Sequence, residues 1–392
     1  MPYEAIYVHG IYYALEALSS DLTVVFLTTA AQRIPYLKKT LVISFLLKQW
    51  LLIFSAVGFL LTSAFNRHFP GYSIQEIEIL FLLYALFISI KGLQQSGIIT
   101  GISRSLEKGG FIPLKLILAA FFFSMLVTND VALIILVPLT LELSIDRKDL
   151  LIIGEALAVN GGSALTPFGN PQNLFIYWFY HLDFSSFIAS IWPFTCVFLI
   201  IMTALSLAVR VKGAPDQISG QAINKKHAVI HSLLLSITLL IVLHVLPTFM
   251  VLIIIGYGLF FDRQALRVDY ALLISFFFFF GLADNLKTML AMEIQHSRHI
   301  FILSALASQV ISNVPAALLF ARFTSNWHAL LWGTSVGGFG SLFGSLANLI
   351  AYKLYLNHET SVKPGLFTIK FLFIGYIAFF IGAGLFFVLQ KT

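Results

Sequence analysis

The sequence predicts an all-α polytopic membrane protein: two inverted repeats, each of five transmembrane helices plus one re-entrant helical hairpin, with discontinuous helices at the midplane. Three observations lead there: an apolar composition carried along the whole chain, apolar runs of membrane-spanning length, and a polar pattern that occurs twice in the same order. Of 392 residues, 59% are hydrophobic and 11% are Asp, Glu, Lys or Arg, whereas a soluble domain carries roughly a quarter charged residues. No soluble core of this size could hide so much apolar surface. The 39 Phe are spread over the full length, which leaves no room for a separate catalytic module. The single cysteine, Cys196, sits in an apolar run. It reads as a small buried apolar side chain and excludes a disulfide framework or a thiolate metal cluster made by this chain alone. The start, Met1 to Gly10, lacks a basic region followed by an apolar stretch and a small-residue cleavage site, so no removable signal peptide is expected.

A bilayer core of about 30 Å needs ~20 apolar residues in a helix. Such runs stand at 41–65, 74–98, 186–210, 228–247, 248–262, 269–291 and 366–389, the short 248–262 being preceded by a turn at Pro247. Residues 4–31 are a weaker candidate, because Glu16 and Asp21 interrupt the run and an interfacial helix would read similarly. Four further regions, 111–143, 149–180, 299–322 and 327–356, are apolar but carry polar and helix-breaking residues at mid-membrane depth.

Orientation follows from the basic residues, which are enriched in short cytoplasmic loops. With the N-terminus outside and 111–143 and 299–322 as hairpins, the inside receives Arg33, Lys38, Lys39, Arg104, Lys108, Lys115, Arg147, Lys148, Arg210, Lys212, Lys225, Lys226, Arg263, Arg267, Lys353 and Lys363. The outside receives only Arg67, Arg298, Arg322 and Lys391. That bias accounts for the net charge of +6. No nucleic-acid partner is expected, because the basic residues form no continuous stripe.

The duplication carries the argument further. Thr128-Asn129-Asp130-Val131-Ala132 opens an apolar run in the first half, and Ser312-Asn313-Val314-Pro315-Ala316 does so in the second. Downstream, Phe168-Gly169-Asn170-Pro171-Gln172-Asn173-Leu174 is echoed by Phe343-Gly344-Ser345-Leu346-Ala347-Asn348-Leu349, and Lys91-Gly92-Leu93 by Phe280-Gly281-Leu282. An odd number of crossings per half inverts the second copy. The count requires residues 4–31 to cross. The predicted organisation is a first repeat at 1–210, a cytoplasmic linker at 211–227 with Gly213, Pro215 and Gly220, and a second repeat at 228–392.

Non-helical chain survives in hydrocarbon only where it lines a cavity or is buried in protein. Each break also holds residues suited to restarting a helix. Asn170 can cap with Pro171 at the first helical position, Asn313 can cap with Pro315 in the first turn, and Asp130 and Ser345 are also preferred caps. Helix N-termini would then aim free N–H groups and partial positive charge at one small volume. The expected substrate- and ion-binding set is Thr128, Asn129, Asp130, Asn160, Gly161, Gly162, Ser163, Thr166, Gly169, Asn170, Asn173, Ser312, Asn313, Val314, Gly337, Gly338, Gly340, Gly344, Ser345 and Asn348. The glycines allow close backbone approach, although small residues such as Gly337 to Ser341 also serve plain helix packing. Freed carbonyls can coordinate sodium.

Intramembrane acids are costly, so a role is their default reading. Asp130 and Glu155 are the candidates for proton coupling; structurally, Asp130 could cap its helix, and Glu155 could face an inner aqueous pocket or pair with a lysine such as Lys91. Asp284 reads equally as an interfacial anchor. The ten His are scattered without His-Glu-x-x-His or similar spacing, so neither a structural metal nor a membrane enzyme is expected. No catalytic residue and no cofactor are assigned, apart from Na+ or H+ as a coupling ion.

The motifs Thr128 to Ala132, Asn160-Gly161-Gly162-Ser163, Thr166 to Asn173 and Ser312 to Pro315 closely resemble the signatures of the ion transporter superfamily. The similar branch holds arsenite permeases and citrate-transporter-like proteins, with sodium/proton antiporters and dicarboxylate carriers more distant. The resemblance covers about residues 40–390 and implies two re-entrant hairpins with Ser/Thr-Asn-Thr tips, here Thr128 to Asp130 and Ser312 to Val314, an elevator-like movement and a homodimer. Asp130 and Val314 replace the third-position Thr, which disfavours a dicarboxylate and favours proton linkage. The expectation is a secondary transporter of a small anion or oxyacid, such as an organic carboxylate, an inorganic anion or arsenite. A cation/proton antiporter of the same fold is the alternative, and a channel a lesser one. The expected setting is the lipid bilayer of a bacterial inner membrane.

Overall fold

The computed structural model describes residues 49–67, 69–106, 110–143, 147–209, 223–290, 294–358 and 364–390. The chain divides into a unit of residues 1–54 and a unit of residues 55–392. Of the first, the described part is the beginning of helix α1, Trp50–Asn66; the expected crossing at 4–31 and the linker residues 211–222 lie outside the described residues.

Among its described residues, the regular structure of the second unit is all helical. After α1 come α2 (Ile74–Gln95), α3 (Ile98–Ser105), α4 (Ile112–Val127), α5 (Asn129–Glu142), α6 (Lys148–Ser163), α7 (Pro171–Phe179) and α8 (Phe184–Leu207). Then follow α9 (Lys225–Val242), α10 (Val251–Phe260), α11 (Tyr270–Leu290), α12 (Ser297–Ile311), α13 (Asn313–Ala321), α14 (Trp327–Gly337), α15 (Leu346–Leu356) and α16 (Pro364–Leu389). Among the described residues, α8, α9, α11 and α16 are long and apolar enough to cross a membrane. Large apolar side chains such as Ile200, Phe373 and Phe380 are about two-thirds exposed on their outer faces, which suits lipid as solvent. Cys196 corrects its expected burial: it lies exposed on α8, on such an outer face.

The helix boundaries follow local chemistry. Ser73 and Glu76 form a reciprocal capping box that starts α2, and Asp183 and Asn224 cap α8 and α9 through backbone N–H groups of Ser186 and His227. Pro247 precedes a 3-10 turn, Thr248–Met250, that leads into α10, so this helix is short, as its sequence suggested. The short α3 was not anticipated.

The regions in which the sequence predicts breaks become helix pairs. Region 111–143 is α4 and α5 meeting at Thr128, and 299–322 is α12 and α13 meeting at Ser312. Region 149–180 is α6 and α7 separated by residues 164–170, and 327–356 is α14 and α15 separated by 338–345. Small residues let the first arm of each pair lie directly on its neighbour. A Cβ at Gly162 of α6 would stand 2.1 Å from the Phe121 carbonyl oxygen of α4, and one at Gly333 of α14 would stand 2.1 Å from Ser304 Oγ of α12. Close backbone approach of this kind is how helices associate where lipid removes the hydrophobic driving force.

Candidate functional site

At the two junctions the chain adopts a conformation that side chains resist. Thr128 has φ 73° and ψ 151°, and Ser312 has φ 74° and ψ 156°, a region populated almost entirely by glycine and costing about 1–3 kcal/mol for other residues. These residues, and not Asp130 or Asn313, occupy the N-cap positions, and neither side chain makes a capping bond. This corrects the expected caps. Asp130 and Asn313 instead fall within the first turns of α5 and α13, with Pro315 following in the latter. The expected caps Asn170 and Ser345 hold, accepting from Gln172 N at 3.3 Å and Ala347 N at 3.2 Å.

One set of contacts then occurs at both junctions. The N–H of Asn129 donates to Gly169 O at 3.1 Å, and that of Asn313 to Gly344 O at 2.9 Å. Thr166 Oγ1 donates to Met125 O at 2.7 Å, and Ser341 Oγ to Gln309 O at 2.8 Å. Asn173 Nδ2 donates to Ser163 O at 2.9 Å and Thr166 O at 3.1 Å, while Asn348 Nδ2 donates to Gly338 O at 2.9 Å and Ser341 O at 3.0 Å. Each asparagine thus satisfies carbonyls released by the unwound stretch that precedes its own helix, as burial demands.

The two sets meet. Asn129 Nδ2 lies 3.4 Å from both Asn160 Oδ1 and Ser345 Oγ, and Asn160 Nδ2 donates to Asn348 Oδ1 at 2.9 Å and to Ala156 O at 3.0 Å. Gly338 closes the ring: a Cβ there would come within 3.1 Å of Asn313 Nδ2 and 3.5 Å of Asn160 Oδ1. Asn129, Asn160, Asn313 and Asn348 are at most 4% exposed. The N-termini of α5, α13 and α15 and the loop leading into α7 are linked through these bonds. The arrangement supplies neutral amides, hydroxyls and helix-end N–H groups, the chemistry of reversible binding. Within the surrounding shell, Asn173 Oδ1, Ser335 Oγ, Gln172 Oε1 and Asp130 Oδ1 are buried atoms without hydrogen-bond partners.

The glycines divide. Gly338 borders the polar cluster, whereas Gly161 packs against Phe198, Gly162 against Phe121, and Gly337 against Ser308. Gly169 lies on Ser163, and Gly344 on Gly337 O. Gly340 has φ +86°, which suits glycine alone. Val314 is buried in the first turn of α13. Ser163 donates to Asn160 O at 3.4 Å. Glu155 is fully buried and takes its hydrogen bond from Thr140, so of its structural alternatives neither the aqueous pocket nor a lysine such as Lys91 is found. Asp284 faces Arg322 at 3.9 Å and accepts from Gly71 N at 3.1 Å. Sequence reasoning missed Gln309, whose amide donates to Gly337 O and Phe339 O and whose Oε1 accepts from Ser341 N. A polar residue one turn before Ser312 was its available signal.

The backbone cost at Thr128 and Ser312 has a measurable consequence. Thr128→Gly and Ser312→Gly are each expected to stabilise the protein by about 1 kcal/mol, strain relief exceeding the extra flexibility of unfolded glycine. Thermal unfolding of the purified protein checks this; a lowered midpoint for both variants would contradict the strain.

The sequence pattern of the citrate transporter family matches residues 107–337, from before α4 to the end of α14. The chain belongs to the citrate transporter family. It lies within the ion transporter superfamily, and it is a membrane transporter, not an enzyme. It is 34% identical over 319 residues to an uncharacterized transporter of Methanocaldococcus jannaschii, covering 79% of this chain and 87% of that protein. To the inner membrane protein YbiR of Escherichia coli it is 33% identical over 320 residues, 75% of this chain and 85% of the relative. A shorter likeness, 30% over 130 residues, links it to a silicon efflux transporter of Oryza sativa subsp. japonica, over 31% of this chain and 27% of that one. In this family member the matched region contains both strained junctions and two members of the polar ring, Asn129 and Asn160.

Proposed function

We propose that the chain is a secondary active transporter of a small anion or oxyacid, coupled to H+ or Na+ by alternating access. The single observation that carries the reading is the ring of Asn129, Asn160, Ser345 and Asn348, in which groups from both halves of the chain hydrogen-bond one another while fully buried. Buried neutral donors and acceptors at helix N-termini suit a compact hydroxylated or singly charged solute. They offer no guanidinium fork for a multiply charged carboxylate. The partial likeness to a silicon efflux transporter supports a small oxyacid.

In this reading the recurring contacts belong to two inverted repeats, 1–210 and 228–392, joined by a cytoplasmic linker. The pairs α4/α5 and α12/α13 are re-entrant hairpins that approach from opposite faces, and the interrupted helices α6/α7 and α14/α15 stand at the midplane. Unpartnered oxygens such as Asn173 Oδ1 and Ser335 Oγ are suited to a sodium ion. The setting is a bacterial inner membrane, supported by the likeness to YbiR, and the assembly is a homodimer. Asp130, half-buried with one oxygen unpartnered, favours proton linkage and supports a second reading, cation/proton exchange by the same fold.

Proteoliposome flux with silicate, arsenite, borate, phosphate, citrate, sodium and lithium tests the proposal. Flux of an oxyacid or anion that responds to an imposed pH or sodium gradient is expected. Gradient-driven flux of cations alone would select the exchanger, and no gradient-driven flux of any solute would count against both. Asp130→Asn is expected to leave downhill flux while removing its response to the pH gradient.

A further inference from the structure

Away from the polar ring, α9 carries two histidines one turn apart, His227 and His231, whose Nε2 atoms both meet Asp262 Oδ2, at 2.6 and 2.9 Å. Residues four apart lie on one helix face. The candidate ligand atoms of the three residues lie within 4.8 Å of one another. We propose that His227, His231 and Asp262 form a binding site for a divalent transition-metal ion of the zinc class, at the turn that joins α10 to α11.

The donor set is right for such an ion. Two imidazole nitrogens and one carboxylate oxygen, with a fourth position left to water, suit Zn2+, whereas Ca2+ and Mg2+ prefer oxygen ligands. A tetrahedral zinc with bonds of about 2.1 Å sets its ligands roughly 3.4 Å apart, so the rings need to withdraw from the carboxylate by less than about 1 Å.

The groups behind the ligands hold them in place. Asp262 Oδ1 accepts from the N–H groups of Gln264 and Ala265 at 3.2 and 3.3 Å, which turns Oδ2 toward the histidines. His231 is wholly buried, packed edge-on to Tyr257, and pressed against Gly92, where a Cβ would stand 2.0 Å from its Nδ1. That Nδ1 has no hydrogen-bond partner. When Nε2 turns its lone pair to a metal, Nδ1 carries the ring proton, with no net proton lost and at the cost of a buried N–H without an acceptor. His227 sits in the first turn of α9, its N–H held by Asn224, whose own N–H donates to Ser96 O at 3.0 Å. With its side chain 22% exposed, His227 gives the ion a way in. Oriented outer-shell groups of this kind are what distinguish a binding site from a chance cluster.

Equilibrium dialysis of the untagged full chain, first stripped with chelator, tests the site with zinc as probe. Wild type is expected to retain one ion per chain, and cobalt in its place to show the visible bands of nitrogen and oxygen coordination. His227→Gln and Asp262→Asn, which keep the side chains near their native size, are expected to weaken zinc binding by at least about 10-fold, since losing a ligand costs no less than losing an outer-shell partner. His296→Ala/His299→Ala, at a second close histidine pair, serves as the control and is expected to bind as wild type does. No retained zinc in wild type, or equal retention in His227→Gln and Asp262→Asn, would overturn the assignment.

Discussion

Replacing Asn129 or Asn313 with Ala is expected to lower transport by about 100-fold or more while leaving the protein folded and in the membrane. Asn129 joins Asn160 and Ser345 through its amide nitrogen and takes the Asp130 N–H on its oxygen at 2.9 Å. Truncating Asn129 leaves several buried groups without partners, each costing about 1–3 kcal/mol, and 2.7 kcal/mol corresponds to roughly 100-fold in rate or affinity; truncating Asn313 removes the amide that faces Gly338 and the acceptor of Ser312 Oγ at the matching junction. The global fold should tolerate the change, because the α4/α6 and α12/α14 contacts at Gly162 and Gly333 are untouched. Flux into proteoliposomes, normalised to reconstituted protein, provides the measurement. Normal flux in both variants would remove the polar ring from the transport path. Because Asn129 and Asn160 bond each other, the double variant should cost much less than the sum of the singles.

The breaks were legible in the sequence because their residues have strong local preferences. Asn170 followed by Pro171, and Ser345 ahead of Leu346, start helices wherever they stand, and the structure starts α7 and α15 there. Thr128 and Ser312 were harder. Neither residue type announces a positive φ, and the strained backbone accompanies long-range bonds from the next residue, Asn129 N–H to Gly169 O and Asn313 N–H to Gly344 O. The caps were consequently placed one or two residues too late. Partnerships across long sequence separation were invisible for a similar reason. Nothing near Glu155 marks Thr140 as its partner, and nothing near His231 points to Asp262. Helix α3 was missed because eight residues are too few for a span and Arg104 breaks the apolar run.

The second large effect is expected at Arg322, read from sequence only as an outer basic residue. Its guanidinium pairs with Glu76, whose side chain is 1% exposed, and faces Asp284 at 3.9 Å; it also lies over the Phe179 ring at 5.6 Å. Glu76 is held from behind by Ser73 N and Oγ at 2.8 and 3.1 Å. Arg322→Ala strands this carboxylate and should destabilise the protein by about 3 kcal/mol, the lower part of the range for a broken buried pair because Arg322 retains 18% exposure. Glu76→Gln in the same chain removes the stranded charge and should restore much of the loss. Thermal unfolding of the single and double variants measures both, and a single variant within about 0.5 kcal/mol of wild type would mean that the pair contributes nothing measurable. The same contacts bear on motion. Arg322 follows α13, while Glu76 and Asp284 stand on α2 and α11. If the hairpin α12/α13 shifts against α2 and α11 during transport, these bonds must break in every cycle. Arg322→Ala/Glu76→Gln should then transport faster than wild type despite its lower stability, whereas a hairpin fixed to α2 and α11 would leave the rate unchanged or reduced.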